Sequence, residues 1–397
     1  MSAGAAHTSW ARVGVLVAAG VFAAFHIGKV PGQLVALTRE LQLSLTQAGA
    51  LVALFNLIAA LFGVALGLLV DRIGALRSAI IGLMLAGCAS IVASFAPGFG
   101  VLVAMRAVEG VGFILTVSSI PSILVGEVDE KDRRKTLGVW GAYMPAGFAT
   151  SMAASGIIGD LGGWRLVWQV VAAFGLVWAG VLWVVFRHRA SAAAGSASDG
   201  RVSLSSVAQR NPLLLAGAFV GYAGHYLAVM SFLPLLLTQQ AGFSARGAAG
   251  AVALVVSMNI IGNVASGFIV DAGVTRKQLV VAASLIMAAC SVVIFTASPP
   301  FGLKYAAALI LSAIGGLIPG ALFGAAPFYA ERPAMVSAII GLLLQSAGIG
   351  QLIGPVLLAG AVERVGGWEG ALWYALPSSA LAIGCALMLK RPAARNA

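Results

Sequence analysis

At 397 residues, with 60% of them apolar and only 9% charged, the chain carries too little charge to cover a water-soluble fold of its size. Its formal charge of +11 comes from basic residues in short segments between apolar runs, a pattern that reads as membrane topology and speaks against a nucleic-acid partner. Cys88, Cys290 and Cys385 lie inside apolar runs without metal-ligand spacing, so no disulfide framework, metal site or cofactor is expected.

In chain order, span 1 is predicted at 10–37 and span 2 at 46–70, each longer than the roughly 20 residues needed to cross a bilayer. Span 3 follows at 78–96 and span 4 at 100–124, with Pro97-Gly98 as the turn between them. The charged run 127–135 is expected to be loop. Spans 5 and 6, at 136–159 and 166–186, are separated by Gly162-Gly163-Trp164-Arg165. Residues 188–211 read as a cytoplasmic linker of Ala, Ser, Gly and basic residues, dividing a first domain, 1–187, from a second, 212–397. Spans 7 to 12 then fall at 212–237, 247–270, 279–297, 302–329, 333–362 and 372–389. Trp10 opens a full span, so the first helix is expected to target the chain and no cleaved signal peptide is expected.

A polar knot joins spans 2 and 3. Gly67, Asp71, Arg72, Gly74 and Arg77 are echoed 200 residues later by Gly267, Asp271, Gly273, Arg276 and Lys277, and Gly162-Gly163-Trp164 is echoed by Gly366-Gly367-Trp368. Two echoes at offsets of 200 and 204 indicate a six-plus-six duplication. The first knot resembles the loop signature of the major facilitator superfamily, although Ala75 and Leu76 stand where the family usually has basic residues. Arg106, Glu109, Gly110 and Gly112 resemble its span 4 signature, with Glu109 in place of a glutamine-like residue. That resemblance implies an all-α membrane protein of twelve transmembrane helices in two pseudo-symmetric six-helix bundles, with spans 1, 4, 7 and 10 lining a central pathway. By the same resemblance, Asp71 is expected near the start of span 11 around Pro333, and Asp271 near the start of span 5 around Lys135. The helix-end carboxylates and their neighbours (Gly67, Asp71, Arg72, Gly74, Arg77, Asp271) are therefore gating candidates.

Topology follows from the basic residues. Seventeen of the 24 fall on one side, and Arg39, Arg165, Arg246, Lys304 and Arg364 on the other, placing both termini in the cytoplasm of a multi-pass inner-membrane protein. Lys29 and Arg106 remain, and among the 13 acidic residues only Glu109 lies within a span. Ionisable groups in hydrocarbon are costly and normally serve a pathway or pair with each other. Arg106 and Glu109 share a helix face as an i,i+3 pair, either structural or proton-coupling; Lys29 has His26 one turn away and no acidic residue on its own helix. Span 7 adds Tyr222, His225 and Tyr226. Prolines and glycines in span 10, including Gly315-Gly316 and Pro319, read as bending points.

No phosphate loop, nucleophile motif or metal-ligand cluster suggests an enzyme. The expected function is secondary active transport of a small, carboxylate-like anion by alternating access, in symport with protons. The substrate would be held by His26, Lys29, Arg106, Tyr222, His225 and Tyr226, and the proton by Glu109 with Arg106. The alternative is proton-coupled efflux of a drug-like or metabolite compound, against which weighs the absence from span 5 of the glycine-proline signature common in drug antiporters. The short build and the basic residue in span 1 resemble the cyanate permease group of small-anion transporters. The partners expected are the solute, protons and the lipid bilayer, with the protein a monomer.

Overall fold

A computed structural model describes residues 8–187, 209–329 and 333–390, so most of the linker lies outside it. All regular structure among the described residues is helical. The elements are α1 (Trp10–Glu40), α2 (Leu45–Ala53), a 3₁₀ turn (Leu54–Asn56), α3 (Leu57–Ile73), α4 (Ala75–Ser94), α5 (Phe99–Gly126), α6 (Glu130–Gly141) and α7 (Tyr143–Phe186). There follow α8 (Arg210–Ala241), α9 (Ala245–Asp271), α10 (Arg276–Phe295), α11 (Phe301–Gly315), α12 (Leu317–Tyr329), α13 (Pro333–Val365), a 3₁₀ turn (Trp368–Ala371) and α14 (Leu372–Met388).

Eleven helical runs among the described residues are long and apolar enough to cross a membrane, one of them the 48-residue run Val139–Phe186. That run holds two of the expected spans, because its helix is broken where anticipated: Gly162 and Gly163 leave helical geometry, Gly163 with φ +68°. The knot between spans 2 and 3 is a sharp reversal at Gly74, whose φ of +94° an L side chain rarely adopts, and its echo turns at Gly273 with φ +99°. Sequence duplication has become backbone duplication.

Two expectations need correction. The charged run 127–135 is not all loop: α6 starts at Glu130, with Asp129 at its N-cap and Glu130 and Asp132 in the first turn, where carboxylates face the positive end of the helix. Charged residues exclude a segment from hydrocarbon, but they do not exclude helix. Span 10 is two helices, α11 and α12, meeting at Gly316. Pro319 has no N–H to offer the Gly315 carbonyl, so the bend anticipated at Gly315-Gly316 is a full interruption.

By internal contacts the chain forms two compact units. The first contains α1, α4, α5, α6, α7 and the segment 237–253; the second contains the segment 44–64, α8 as far as Leu236, and the chain from Leu254 onward. In the first, α1 packs most extensively on α7. Gly28 leaves no room for a side chain between α1 and the Phe148 carbonyl, while Ser151 Oγ donates to the Phe25 carbonyl (2.8 Å) and Gln33 Nε2 to the Ser155 carbonyl (2.6 Å). These contacts fix the rotation of α1 about its axis. The 25/28/32 side is spent on α7, and residues 26 and 29 are turned toward α4 and α5. In the second unit, α10 packs on α11 and α14, and α13 packs on α2.

Candidate functional site

The first unit brings together all three ionisable groups that the charge count left inside spans. Lys29 Nζ donates to Glu109 Oε1 at 2.5 Å, to Ser90 Oγ at 2.7 Å and approaches His26 Nδ1 at 3.3 Å, which occupies the three hydrogens of an ammonium. It also lies 4.7 Å from the centre of the Trp168 ring. Arg106 Nη1 donates to the other carboxylate oxygen, Glu109 Oε2, at 2.5 Å and to the His26 carbonyl at 2.8 Å. Ser90 passes its own hydrogen to the Trp168 carbonyl at 2.8 Å. One carboxylate thus holds two cations, one through each oxygen.

Lys29, Glu109, Arg106 and His26 are each at most 1% exposed. With histidine neutral the cluster carries +1. An ammonium can only donate, so the Lys29 contact requires His26 Nδ1 to accept and puts the imidazole hydrogen on Nε2, which has no hydrogen-bond partner among the described residues. Nδ1 also lies 3.4 Å from Glu109 Oε1, so His26 can alternatively give its hydrogen to the carboxylate. The carboxylate therefore has three potential proton donors within hydrogen-bonding reach.

The second unit holds a neutral network. Tyr222 and Tyr226, one turn apart on α8, stack with ring centres 5.9 Å apart. Tyr226 shares a hydrogen bond with Ser312 Oγ (3.1 Å); Asn259 Nδ2 donates to the Tyr222 hydroxyl (3.3 Å) and the Ser312 carbonyl (3.1 Å); and Asn263 donates to Asn259 Oδ1 (2.8 Å). His225 points elsewhere. Its Nε2 pairs with Ser291 on α10 (2.8 Å) and its Nδ1 with Ser379 on α14 (3.0 Å), so both ring nitrogens are satisfied. The three polar residues of span 7 are two separate groupings, because 225 is a hundred degrees around the helix from 226.

Gly67 and Asp71 lie at the end of α3, Gly74 caps α4, and Arg72, Arg77 and Asp271 are exposed. The side chains of Asp71 and Lys135, and those of residues 333–338, lie outside the described part of the structure, as does the pairing expected for them. Ser90 and Trp168 around Lys29, and Ser291 and Ser379 around His225, escaped the sequence reading. Serine is too frequent in these helices to stand out.

Helices of this length and apolarity define a multi-pass membrane protein. The chain belongs to the major facilitator superfamily: the model of that family, "Major Facilitator Superfamily", matches residues 15–349. It is a membrane transporter and not an enzyme, and its fold is that of the superfamily. It is 24% identical over 360 residues to the hexuronate transporter of Bacillus subtilis (strain 168), covering 85% of this chain and 84% of the relative. It is 29% identical over 120 residues to the multidrug resistance protein Stp of Mycobacterium tuberculosis (strain CDC 1551 / Oshkosh), covering 30% of this chain and 22% of that protein. Among solved structures, a bacterial homologue of the human lysosomal transporter Spinster, inward-facing and occupied, superposes with a TM-score of 0.77 at 16% identity over 95% of each chain.

Proposed function

We propose that the protein imports a small organic anion in symport with a proton, by alternating access, using the His26–Lys29–Arg106–Glu109 cluster. The observation that carries this reading is the sharing of Glu109 between two buried cations. A substrate carboxylate seeking Lys29 and Arg106 must compete with Glu109, which occupies the same donors. A proton on Glu109 ends that competition. Proton and monoanion arriving together leave the cluster at its starting charge of +1, so the cost of burying charge is the same empty and loaded. An anion arriving alone would instead meet the ionised Glu109 at short range. Binding of each therefore favours the other, as linkage requires.

The name of the hexuronate transporter, which is similar over 85% of this chain, gives a sugar acid as a candidate substrate. Tyr222, Tyr226 and Asn259 supply neutral hydrogen-bonding groups of the kind a hydroxylated anion needs, while His225, paired with Ser291 and Ser379, stands apart from them. In this reading the helix-end group Gly67, Asp71, Arg72, Gly74, Arg77 and Asp271 governs opening, the membrane is the cytoplasmic one, and both termini and the linker face the cytoplasm.

Liposomes containing the purified protein test the reading. With an inside-alkaline pH gradient, a hexuronate or another monocarboxylate should accumulate, and Lys29→Ala should abolish accumulation. Accumulation of organic cations in exchange for protons, with no uptake of any anion in the panel, would replace this reading with efflux.

A further inference from the structure

We propose that the crevice where α9, α10, α11 and α12 meet holds an acyl chain of an anionic phospholipid, with the lipid phosphate at Arg276 and Lys277. The crevice has a volume of about 390 Å³ and apolar walls that include Ile269, Ala283, Ile286 and Leu317, with Gln278 at the end where α10 begins. Arg276, Leu279, Ala283 and Ile286 recur at intervals of three and four residues, so Arg276 stands on α10 directly above the side chains that line the crevice. Its guanidinium is held over the exposed Phe328 ring at 4.5 Å. Lys277 beside it reaches the carbonyl of Leu387 at the end of α14.

In a chain that crosses a bilayer, an open apolar crevice faces acyl chains, and its lining offers a water-soluble ligand little to bond to. Its polar end selects among lipids. Asp271, exposed two residues beyond the crevice-lining Ile269, offsets one of the two cations and leaves an excess of positive charge. A zwitterionic headgroup brings no net charge to that end, whereas an anionic one does, and each basic residue near such a lipid strengthens binding roughly fivefold. With two cations and one opposing carboxylate, a preference of about fivefold for the anionic lipid is expected.

The experiment is native mass spectrometry of the full-length protein released from detergent containing equal amounts of dioleoyl-phosphatidylglycerol and dioleoyl-phosphatidylcholine. The wild type should retain the phosphatidylglycerol adduct about fivefold over phosphatidylcholine. Arg276→Gln with Lys277→Gln should bring the ratio close to one. Ala282→Trp, at an exposed position on the crevice wall, leaves every charge in place and should reduce retention of both lipids. Equal retention by the wild type, or an unchanged preference in the double variant, overturns the proposal. So does thermal stabilisation by glycerol phosphate equal to that by phosphatidylglycerol, which would make this an ion site. A protein dimer mass in place of lipid adducts would show that a second copy covers the crevice, and would overturn it as well.

Discussion

His26 and Tyr226 stand 200 positions apart, the offset of the duplicated knot, so the two halves of the chain present the same helix register with different chemistry. Around His26 lie Lys29, Arg106 and Glu109, all buried and charged or chargeable. Around Tyr226 lie Tyr222, Asn259 and Ser312, joined by hydroxyl and amide hydrogen bonds. Position 29, a lysine in the first half, is Val229 in the second. Hydrogen bonds between neutral groups contribute specificity and modest stability, while a buried ionic cluster can change its internal pairing when one proton moves. Duplication supplied two equivalent frames, and of the groups described around them only those of the first are charged.

Breaking the charged frame should have the largest effect. Glu109→Gln leaves Lys29 and Arg106 facing each other without their carboxylate, which is expected to cost about 3–5 kcal/mol of stability. Unfolding of the purified protein on heating should therefore occur at a lower temperature, and added substrate anion should restore much of the loss by taking the place of the carboxylate. The same variant imitates protonated Glu109. In wild type, anion affinity should rise as pH falls, because protonation removes the competing carboxylate; in Glu109→Gln it should be high and flat with pH. A variant that keeps the wild-type pH profile would remove Glu109 from the coupling.

Lys29→Ala is the next most severe change. It removes one of the two cations and leaves an approximately balanced Arg106–Glu109 pair, so stability should fall less than in Glu109→Gln while uptake falls by roughly 100-fold, the ~3 kcal/mol of a lost buried charge contact. The contrast between the two variants is informative. A protein in which Lys29→Ala unfolds as readily as Glu109→Gln but still transports would make the cluster purely structural.

How much of this frame could be read from residues alone follows from what each kind of residue costs. Lys29, Arg106 and Glu109 could be found by subtraction because an ionisable group in an apolar span is costly and rare enough to stand out. Helix ends were legible for the same reason: Gly74 and Pro333 have backbone requirements that few other residues share. The identity of Lys29's partner was not legible, since Glu109 is 80 residues away and reaches it only because α1 is locked in rotation by α7. The helical start of α6 was misread because its charges were taken as a sign of loop when they signal only water. The separation of His225 from the tyrosines depends on which neighbours offer serine hydroxyls, and a serine on an apolar helix leaves no signal of its own.

Within the neutral frame the changes should be smaller. Tyr222→Phe removes the acceptor for Asn259 and is expected to cost about 1–2 kcal/mol in substrate affinity, roughly 5- to 30-fold, with the pH profile of uptake unaltered. His225→Leu removes the partner of Ser291 and Ser379 and should lower stability by roughly 1–3 kcal/mol, leaving affinity unchanged. If His225→Leu shifts the pH profile, the division between a titrating frame and a neutral one fails.

The smallest effect expected concerns a second pair of equivalent positions, where the two units differ in degree. In the second, Glu363 near the end of α13 accepts from the Thr46 backbone N–H at 3.0 Å and from the Thr46 hydroxyl, so a carboxylate sits on the first turn of α2. In the first, Asp160 faces Arg246, 3.5 Å away on the first turn of α9. Thr46 and Arg246 are 200 positions apart, and Asp160 and Glu363 are 203, close to the offsets of the two echoes. The duplicated chain has thus kept a carboxylate opposite the start of the second helix of each half. Only Glu363 bonds to backbone there, so it alone stabilises the end of a helix, whereas Asp160 makes an exposed side-chain ion pair of the kind worth at most about 1 kcal/mol. Glu363→Ala should therefore raise hydrogen exchange in the first turn of α2 severalfold. Asp160→Ala should leave exchange at the start of α9 nearly unchanged in 1 M salt and raise it only slightly in low salt, since screening already weakens an exposed pair. Equal responses at both sites would mean that the backbone bond to Thr46 adds nothing beyond charge, and that the two carboxylates do the same job.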